Sequence, residues 1–178
     1  MCDKKVLGER EIVRIPVVRS YEAFLPKYSN DGDSGMDVRA YLGENFDDIK
    51  KYGDVTPIYD VLDTLVGLKM APNSRVLIAS GLNMAIPYGY EIQARPRSGL
   101  ALKYGITLSN AVGTIDSGYR GDCGFIIQNN GLEDYELMNS DRIGQFVLMK
   151  VPAIEWVEVE SLESSERGEG GYGHTGVK

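Results

Sequence analysis

Short apolar runs separated by turn residues recur through this 178-residue chain, and this pattern constrains its fold more than any other feature. The runs predict strands at 11–18, 35–40, 65–70, 75–79, 83–87, 91–95, 106–108, 124–128, 135–138, 144–150 and 154–159. The residues between them, as in Ala71-Pro72-Asn73 and Asn129-Asn130-Gly131, are typical of tight turns. Many short strands at close spacing indicate an all-β barrel or sandwich.

Two stretches depart from the strand pattern. Residues 100–104 have helical character and Gly105 is suited to end a helix, so we expect one short core helix. Residues 43–63 mix acidic and basic side chains in the manner of a solvated excursion. Within that excursion we expect a short helix that is capped by Asn45 and runs to Tyr52.

Charge and cysteine content exclude several classes of function. The chain carries 26 acidic and 19 basic residues, a net charge of -7, so non-specific attraction to nucleic acid or an anionic membrane is not expected. Cys2 and Cys123 are too few for a disulfide framework and lack metal-site spacing, which favours a reducing, cytoplasmic setting. No segment approaches transmembrane length. We therefore expect a soluble protein in which a few placed cations meet any bound phosphate.

The C-terminal part of the chain has the composition of a flexible arm. Residues 155–166 contain five glutamates and no basic residue, and residues 167–178 contain five glycines. Such a tail is usually disordered, but its backbone amides are also suited to ordering around an anion. We expect a folded domain over residues 1–160, with the excursion at 43–63, and an arm over residues 161–178.

Residues 113–122 (GTIDSGYRGD) combine glycines with side chains that suit a half-buried strand, and they predict a β-hairpin. Asp116 places a carboxylate near the aromatic ring of Tyr119, on a backbone able to hydrogen-bond a planar ligand. An ordinary surface turn has Asp and Gly in similar places. Taken alone, the stretch leaves both interpretations open.

Four further stretches accompany this hairpin: 34–38 (SGMDV), 95–101 (RPRSGLA), 141–147 (DRIGQFV) and 167–176 (RGEGGYGHTG). Each is a weak signal alone, as short motifs generally are. In this order and at these spacings, the five stretches resemble the five motifs of the trimeric dUTPase family, the deoxyuridine triphosphate nucleotidohydrolases. The resemblance extends from about residue 35 to residue 176.

The resemblance implies a catalytic carboxylate at Asp116. As a general base, Asp116 would activate a water molecule for in-line attack on the α-phosphorus of dUTP, giving dUMP and pyrophosphate. Tyr119 would pack against the deoxyribose and exclude a 2′-hydroxyl. A buried packing aromatic is the alternative for Tyr119, and the two roles are compatible.

The resemblance also assigns the substrate-binding residues. Arg97, Ser98 and Gly99, at the start of the short helix, would bind phosphate, since guanidinium groups and helical N–H groups both favour anions. Without the other motifs, Arg97 would be interpreted as a surface ion-pair partner and Ser98 as a helix cap. Asn110, Gly113 and Ile115 would contact uracil, chiefly through backbone groups, although Asn110 also suits a turn.

Asp37 and Gln145 match the residues that hold Mg²⁺ through water in this family, which suits an ion that prefers oxygen ligands and keeps its hydration. Their alternatives are a structural acceptor and a satisfied buried amide. In the arm, Arg167 would clamp the γ-phosphate, Tyr172 would stack on uracil, and the amides around Gly173 and Thr175 would wrap the triphosphate. Arg120, Asp122 and Arg142 lie inside motifs and are interpreted as ion-pair scaffolding.

The implied fold is a distorted jelly-roll-like β-barrel of the β-clip type, with one short core helix and a swapped, flexible C-terminal arm. The implied assembly is a homotrimer whose active sites draw on all three subunits. The implied role is to keep uracil out of DNA and to supply dUMP for dTTP synthesis. We expect no stable nucleic-acid binding and no membrane association, and residues 43–63 are a candidate surface for a protein partner.

Two rival functions follow from the same sequence. A dCTP deaminase resembles this fold, but that chemistry needs a glutamate in the strand after the hairpin, and residues 123–130 (CGFIIQNN) contain none. A signalling protein built on the dUTPase scaffold would use nucleotide occupancy to switch a partner. The complete set of motif residues indicates that catalysis is retained even in such a signalling protein, so both roles are compatible.

Overall fold

The structure is a computed structural model that describes residues 10–171. The strands are β1 Val17–Arg19, β2 Met36–Arg39, β3 Lys51–Tyr52, β4 Val55–Tyr59, β5 Leu65–Met70, β6 Arg75–Ile78, β7 Leu82–Met84, β8 Tyr90–Arg95, β9 Ile106–Leu108, β10 Gly113–Ile115, β11 Phe125–Asn129, β12 Tyr135–Met138 and β13 Arg142–Lys150. A helix, α1, spans Ser98–Tyr104, and a 3₁₀ turn spans Phe46–Asp48. The expected all-β class with one short helix is confirmed.

The strands form four open sheets with antiparallel pairing. Their strand orders are β10-β8-β13-β2, β3-β6-β11-β9, β12-β5-β4 and β1-β7. The first of these sheets, here called the site sheet, carries four of the predicted site residues, Asp37, Gly113, Ile115 and Gln145. Because the ladders end at edge strands, a closed barrel stays a prediction.

One cluster of buried apolar side chains joins all four sheets. Alternating residues of β11 point into it, and the Phe125 ring stacks on Phe146 with 5.2 Å between ring centroids. Complete burial of such a side chain contributes about 1.5–3 kcal/mol. Gly144 is needed beside this pair, since a Cβ there would overlap the Phe125 ring.

The helix α1 forms where the sequence predicts it and ends as expected. Gly105 adopts a positive φ of +70°, and its N–H donates to the Ala101 carbonyl oxygen at 3.1 Å. Glycine is favoured there for a second reason, because a Cβ would lie 2.6 Å from the Gly131 nitrogen. The helix therefore has a defined end next to the β11–β12 turn.

Residues 43–63 are mostly exposed, as expected for a solvated excursion, but the helix expected from Asn45 to Tyr52 is wrong. The Asn45 side chain does cap, accepting a hydrogen bond from the Asp47 N–H at 3.1 Å, but only one 3₁₀ turn follows. The chain then enters β3, which pairs with β6, and β4, which pairs with β5 along its whole length. Pairing with two existing sheets and burial of Val55 outweigh the weak local helix signal.

Two other strand predictions are also corrected. Residues 154–159 form no strand, and their side chains are exposed because no neighbouring strand of this chain pairs with them. The strand expected at 11–18 is reduced to β1, where Val17 begins a three-residue pairing with β7. Pro16 precedes β1 and has no N–H to extend the ladder.

Candidate active site

Strands β2 and β13 bring the two predicted metal-site residues together. Asp37 and Gln145 are direct cross-strand partners in the site sheet. The Gln145 Nε2 donates to the Pro96 carbonyl oxygen at 3.0 Å, and its Oε1 packs against Gly35, where a Cβ would overlap it. The amide is thereby anchored between the first two motifs.

Arg97 reaches the same place from the start of α1. Its Nε lies 3.1 Å from Asp37 Oδ1, and its Nη2 lies 3.2 Å from Asp37 Oδ2. Arg142 adds a second ion pair, with 3.2 Å between its Nη1 and Asp37 Oδ2. Arg97 is thus an ion-pair partner in this chain, which is the alternative given for it above. The same ion pairs also bring together residues from three of the five motifs.

Ser98 and Gly99 lie exposed in the first turn of α1, beside Arg97. The cap alternative for Ser98 is wrong, because Arg97 holds the N-cap position and Ser98 is the first helical residue. The N–H groups of a first turn have no intrahelical acceptor. A Cβ at Gly99 would meet open space, so this turn is open to an anion.

The donor set fits a hydrated ion better than a metal bound by a protein cage. Within residues 10–171, no group of three or more His, Cys, Asp or Glu side chains is placed to hold a metal. Asp37 is already paired with two guanidinium groups. A carboxylate and an amide oxygen suit Mg²⁺ that keeps its water and arrives with phosphates.

The predicted hairpin at residues 113–122 is wrong in one respect, since its two arms do not pair with each other. The first arm is β10, which pairs with β8, whereas Asp122 forms a bridge with Asn83 of β7. A turn joins them, in which the Tyr119 N–H donates to the Asp116 carbonyl oxygen at 3.1 Å. Burial of Gly113 and Ile115 against β8 decides this arrangement.

Asp116 follows β10 directly and is exposed. Its carboxylate has no hydrogen-bond or ion-pair partner within the described part of the chain. It borders a cavity of about 250 Å³ that is also lined by Tyr88, Glu91 and residues 151–153. A free, exposed carboxylate at the rim of a cavity is available to a ligand and to water.

Tyr119 lies on the same turn and is held by it. Its hydroxyl donates to the Asp122 carbonyl oxygen at 3.0 Å, and its ring packs against Gly121, where a Cβ would overlap it. The side chain is 47% exposed, so the buried-aromatic alternative does not apply in the isolated chain. About half of the side chain is therefore accessible to a ligand.

Asn110 lies against the backbone of Gly113, where a Cβ would come within 3.2 Å of Asn110 Nδ2. Gly113 and Ile115 are buried, and they belong to the edge strand of the site sheet. The backbone groups on the free side of an edge strand are not used by the sheet. Three residues predicted to contact uracil are therefore neighbours here.

The scaffold residues are only partly as expected. Arg142 forms an ion pair, but Arg120 donates to the carbonyl oxygens of Ser117 and Tyr119. Asp122 accepts from the Ser80 N–H at 2.9 Å. Burial raises the pKa of the Asp122 carboxyl above its ordinary value, although its hydrogen bonds with backbone N–H groups oppose that rise.

The register of the site sheet separates Asp116 from Asp37. Asp37 lies opposite Gln145, and Gln145 lies opposite Arg95, whereas Ile115 lies opposite Ile92 and so places Asp116 beside Glu91. Along the strand direction, Asp37 and Asp116 are offset by four residues at about 3.3 Å each. Across the sheet they are three strand spacings of about 4.8 Å apart, and the two perpendicular distances combine to about 20 Å. Asp116 therefore lies far from Asp37 and from its partner Arg97 within one chain.

Two residues near the site were missed by the sequence analysis. Tyr135 is half-buried within reach of the Arg97 charge, and burial raises the pKa of its phenol while Arg97 opposes that rise. Glu91 borders the Asp116 cavity. Alternation along β8 would have placed Glu91 on the same face as Arg95, but no sequence signal connects Tyr135 to Arg97.

Arg167 lies in an exposed turn, where its Nε donates to the Gly170 carbonyl oxygen at 2.8 Å. Its described contact is therefore within the arm. Tyr172, Gly173 and Thr175 lie outside the described residues.

Comparison with known proteins adds independent evidence. The family model described as dUTPase matches residues 50–176. A deoxyuridine 5'-triphosphate nucleotidohydrolase of Fusobacterium nucleatum is 48% identical over 164 residues, which are 92% of this chain and 97% of the relative.

No helix of the described residues is long and apolar enough to cross a membrane.

Solved structures share the fold. The Staphylococcus bacteriophage 80alpha dUTPase with dUPNHPP has a TM-score of 0.71 and 24% identity, covering 92% of this chain and 99% of its own. A mutant dUTPase of phage phi11, described with a structural Mg(II) ion, has a TM-score of 0.64 and 20% identity, covering 85% and 100%. The family-model match over residues 50–176 and the 48% identical relative show that the chain belongs to the dUTPase family.

Proposed function

We propose that this protein is a dUTP diphosphatase, which hydrolyses dUTP to dUMP and pyrophosphate with Mg²⁺. The observation that carries the proposal is the meeting of Asp37, Arg97 and Gln145 from three separate motifs at one end of α1. The guanidinium of Arg97 and the N–H groups at the helix start can bind a phosphate chain, with the Asp37 carboxylate and the Gln145 amide beside them. The name of the 48% identical relative supports the same substrate.

In the proposed reaction, Asp116 orients a water molecule and accepts its proton. The water oxygen attacks the α-phosphorus, the bond to the bridging oxygen breaks, and pyrophosphate leaves with the bonding electron pair. Water is a weak nucleophile, so positioning and charge neutralisation supply most of the acceleration. Mg²⁺, when bound, neutralises phosphate charge, and Asp37 and Gln145 would hold it through water.

Substrate selection belongs to the other end of the site sheet. The free edge of β10, at Gly113 and Ile115, offers backbone donors and acceptors to uracil, with Asn110 beside it. The half-exposed Tyr119 ring offers a flat surface to the deoxyribose. A tight fit there would exclude the thymine methyl group and a 2′-hydroxyl.

The separation of about 20 Å within one chain supports an active site that is shared between copies, since strand spacings allow no closer approach. We propose a homotrimer, in which Asp116 of one copy meets Arg97 of another. Residues 151–165 run exposed, with Ile154, Trp156 and Val157 at 73%, 86% and 77% exposure. Apolar side chains in one extended segment favour contact with another chain.

The arm over residues 161–178 is proposed to close the site, with Arg167 on the γ-phosphate, Tyr172 on uracil, and Gly173 and Thr175 around the phosphates. Closure would exclude water other than the nucleophile. Sedimentation of the full chain, compared with a chain ending at residue 160, separates assembly from closure. If residues up to 160 suffice for assembly, the shortened chain is expected to remain a trimer but to release no pyrophosphate.

The decisive test is pyrophosphate release from dUTP, dCTP, dTTP and UTP with Mg²⁺, in wild type and in Asp116→Asn. We expect release from dUTP alone and its loss in the variant, because an amide cannot accept the water proton. Release from dCTP at a similar rate, or an active variant, would contradict the assignment. The setting proposed for this activity is the cytoplasm, where it would keep uracil out of DNA and supply dUMP.

A second role is supported by the tip of the β4–β5 hairpin. Val61 and Leu62 are 99% and 81% exposed there, and Asp60 holds the tip by accepting from the Leu62 and Thr64 N–H groups at 2.8 and 2.9 Å. An ordered apolar tip suits a protein partner. Because residues 43–63 contribute strands to two sheets, the test is Val61→Ser with Leu62→Ser and not a deletion, and unchanged binding of every partner found would contradict this role.

A further inference from the structure

A β-bulge turns Arg142 toward the site. Gly144 and Phe146 of β13 point into the core, and regular alternation would point residue 142 the same way. The register shifts here, because Arg142 lies opposite Arg39 while Gly144 lies opposite Val38. The extra residue, Ile143, is buried, and Arg142 emerges on the face that carries Asp37.

Two guanidinium groups share one carboxylate at this point. Arg97 contacts both Asp37 oxygens, at 3.1 and 3.2 Å, and Arg142 contacts Oδ2 at 3.2 Å. The Arg97 Nη1 also donates to the Arg142 carbonyl oxygen at 3.3 Å. The side chains of Arg97, Asp37 and Arg142 are 25%, 29% and 51% exposed, so the cluster has a net charge of +1 that is open to a ligand.

We propose that Arg142 is a positioning residue for the phosphate site, holding Asp37 while Arg97 turns to the phosphate chain. This inference rests on the proposed function. Phosphate oxygens compete with Asp37 for the N–H groups of Arg97. While Arg97 moves from Asp37 to the phosphates, Arg142 remains paired with Asp37. The Asp37 carboxylate then competes less for Arg97, and its negative charge repels the phosphates less.

Without Arg142, Arg97 would be the only side chain paired with Asp37, and every phosphate that binds would have to break that pair. The loss therefore falls on binding of the phosphate chain, and the proton transfer at Asp116 is affected less. A merely structural Arg142 would instead lower stability and the amount of folded enzyme, which leaves KM unchanged. KM and direct binding thus distinguish the two roles.

Arg39 offers a matched control for the substitution. It lies opposite Arg142 on β2, and Arg39→Gln removes the same charge from the same region. Its guanidinium donates to the Ser140 carbonyl oxygen at 2.7 Å and lies over the Phe24 ring, with 5.1 Å from Cζ to the ring centroid. Its contacts are therefore away from Asp37.

The experiment compares Arg142→Gln, Arg142→Lys and Arg39→Gln by dUTP kinetics and by calorimetric binding of dUpNHpp, with and without Mg²⁺. Arg142→Gln is expected to raise KM and weaken dUpNHpp binding about tenfold, equivalent to about 1.4 kcal/mol, with kcat changed less. Arg142→Lys should recover part of the loss, since it keeps the charge but not the fork. Arg39→Gln should change either quantity by no more than roughly twofold, as expected for an exposed charge.

Equal KM values in Arg142→Gln and Arg39→Gln would overturn the inference, as would a fall in kcat with KM unchanged. Arg142→Gln should add no further loss in an Asp37→Asn background, and additive losses would also overturn it. If Arg142→Gln does not fold, Arg142→Lys provides the test. A KM and a dUpNHpp affinity in Arg142→Lys equal to those of wild type would then overturn the inference. A wild-type enzyme that releases no pyrophosphate from dUTP would instead contradict the proposed function.

Discussion

Replacing Asn129 with Ala is expected to destabilise the protein by about 1.5–4.5 kcal/mol, the sum of three intramolecular hydrogen bonds at about 0.5–1.5 kcal/mol each. Asn129 is fully buried at the end of β11. Its Nδ2 donates to the carbonyl oxygens of Met70 and Glu133 at 2.8 and 2.9 Å, and its Oδ1 accepts from the Gly131 N–H at 2.9 Å. One side chain thus joins β5, β11 and the turn before β12.

The assay is urea unfolding at fixed protein concentration, followed by fluorescence or circular dichroism. The control is Asn83→Ala, which removes a single exposed hydrogen bond, from Asn83 Nδ2 to the Arg120 carbonyl oxygen at 2.9 Å. For a chain of this size, the expected loss in Asn129→Ala corresponds to a melting temperature lower by roughly 5–15 °C. A loss below about 1 kcal/mol, or one equal to that of the control, would refute the argument from buried hydrogen bonds.

Asn129→Asp tests the same reasoning through pH. An ionised carboxylate cannot donate to the Met70 and Glu133 carbonyl oxygens, and burial favours its protonated form. A folded-state pKa raised above the unfolded value means that the destabilisation is smaller at low pH and grows as pH rises above the unfolded pKa. A variant whose stability relative to wild type is independent of pH between about 4 and 7 would contradict this expectation.

Three further predictions concern packing, reactivity and the hairpin tip. Gly144→Ala should cost about 1–3 kcal/mol in urea unfolding, because its Cβ would overlap the Phe125 ring, and a neutral effect would show that the ring relocates freely. Burial raises the pKa of Cys123 to about 11, so its alkylation at pH 8 should be slow in folded protein and become fast in urea; equal rates in both would contradict its burial. Val61→Ser with Leu62→Ser should leave stability within about 0.5 kcal/mol, as expected for exposed side chains, and a larger loss in urea unfolding would show that this chain covers the tip.

The strands that follow local pattern alone were predictable. Those at 65–70, 106–108 and 135–138 have the predicted bounds, and α1 ends at Gly105 as expected. Each combines a clear apolar pattern with strong turn or cap residues next to it, so local preference and tertiary pairing agree there. The candidate site residues were named from motif spacing in the same way, and their roles stay predictions.

The failures arise where pairing partners are distant in sequence or absent from the chain. Residues 51–59 became strands because β5 and β6 offered free edges. Residues 154–159 pair with no strand in the described part of the chain. The arms at 113–122 separated because β8 and β7 each bound one of them. Local preference is weak compared with such pairings.

The sequence by itself determined the all-β class, the short helix and the family, and it supplied the candidate site residues, because turn chemistry, strand alternation and motif spacing are local properties of the chain. The tertiary structure alone decided that Asp37 is shared by Arg97 and Arg142, and that the Asp116 carboxylate lies at the far end of the site sheet. Strand register and a β-bulge set those distances, and both depend on which residues pair across the sheet.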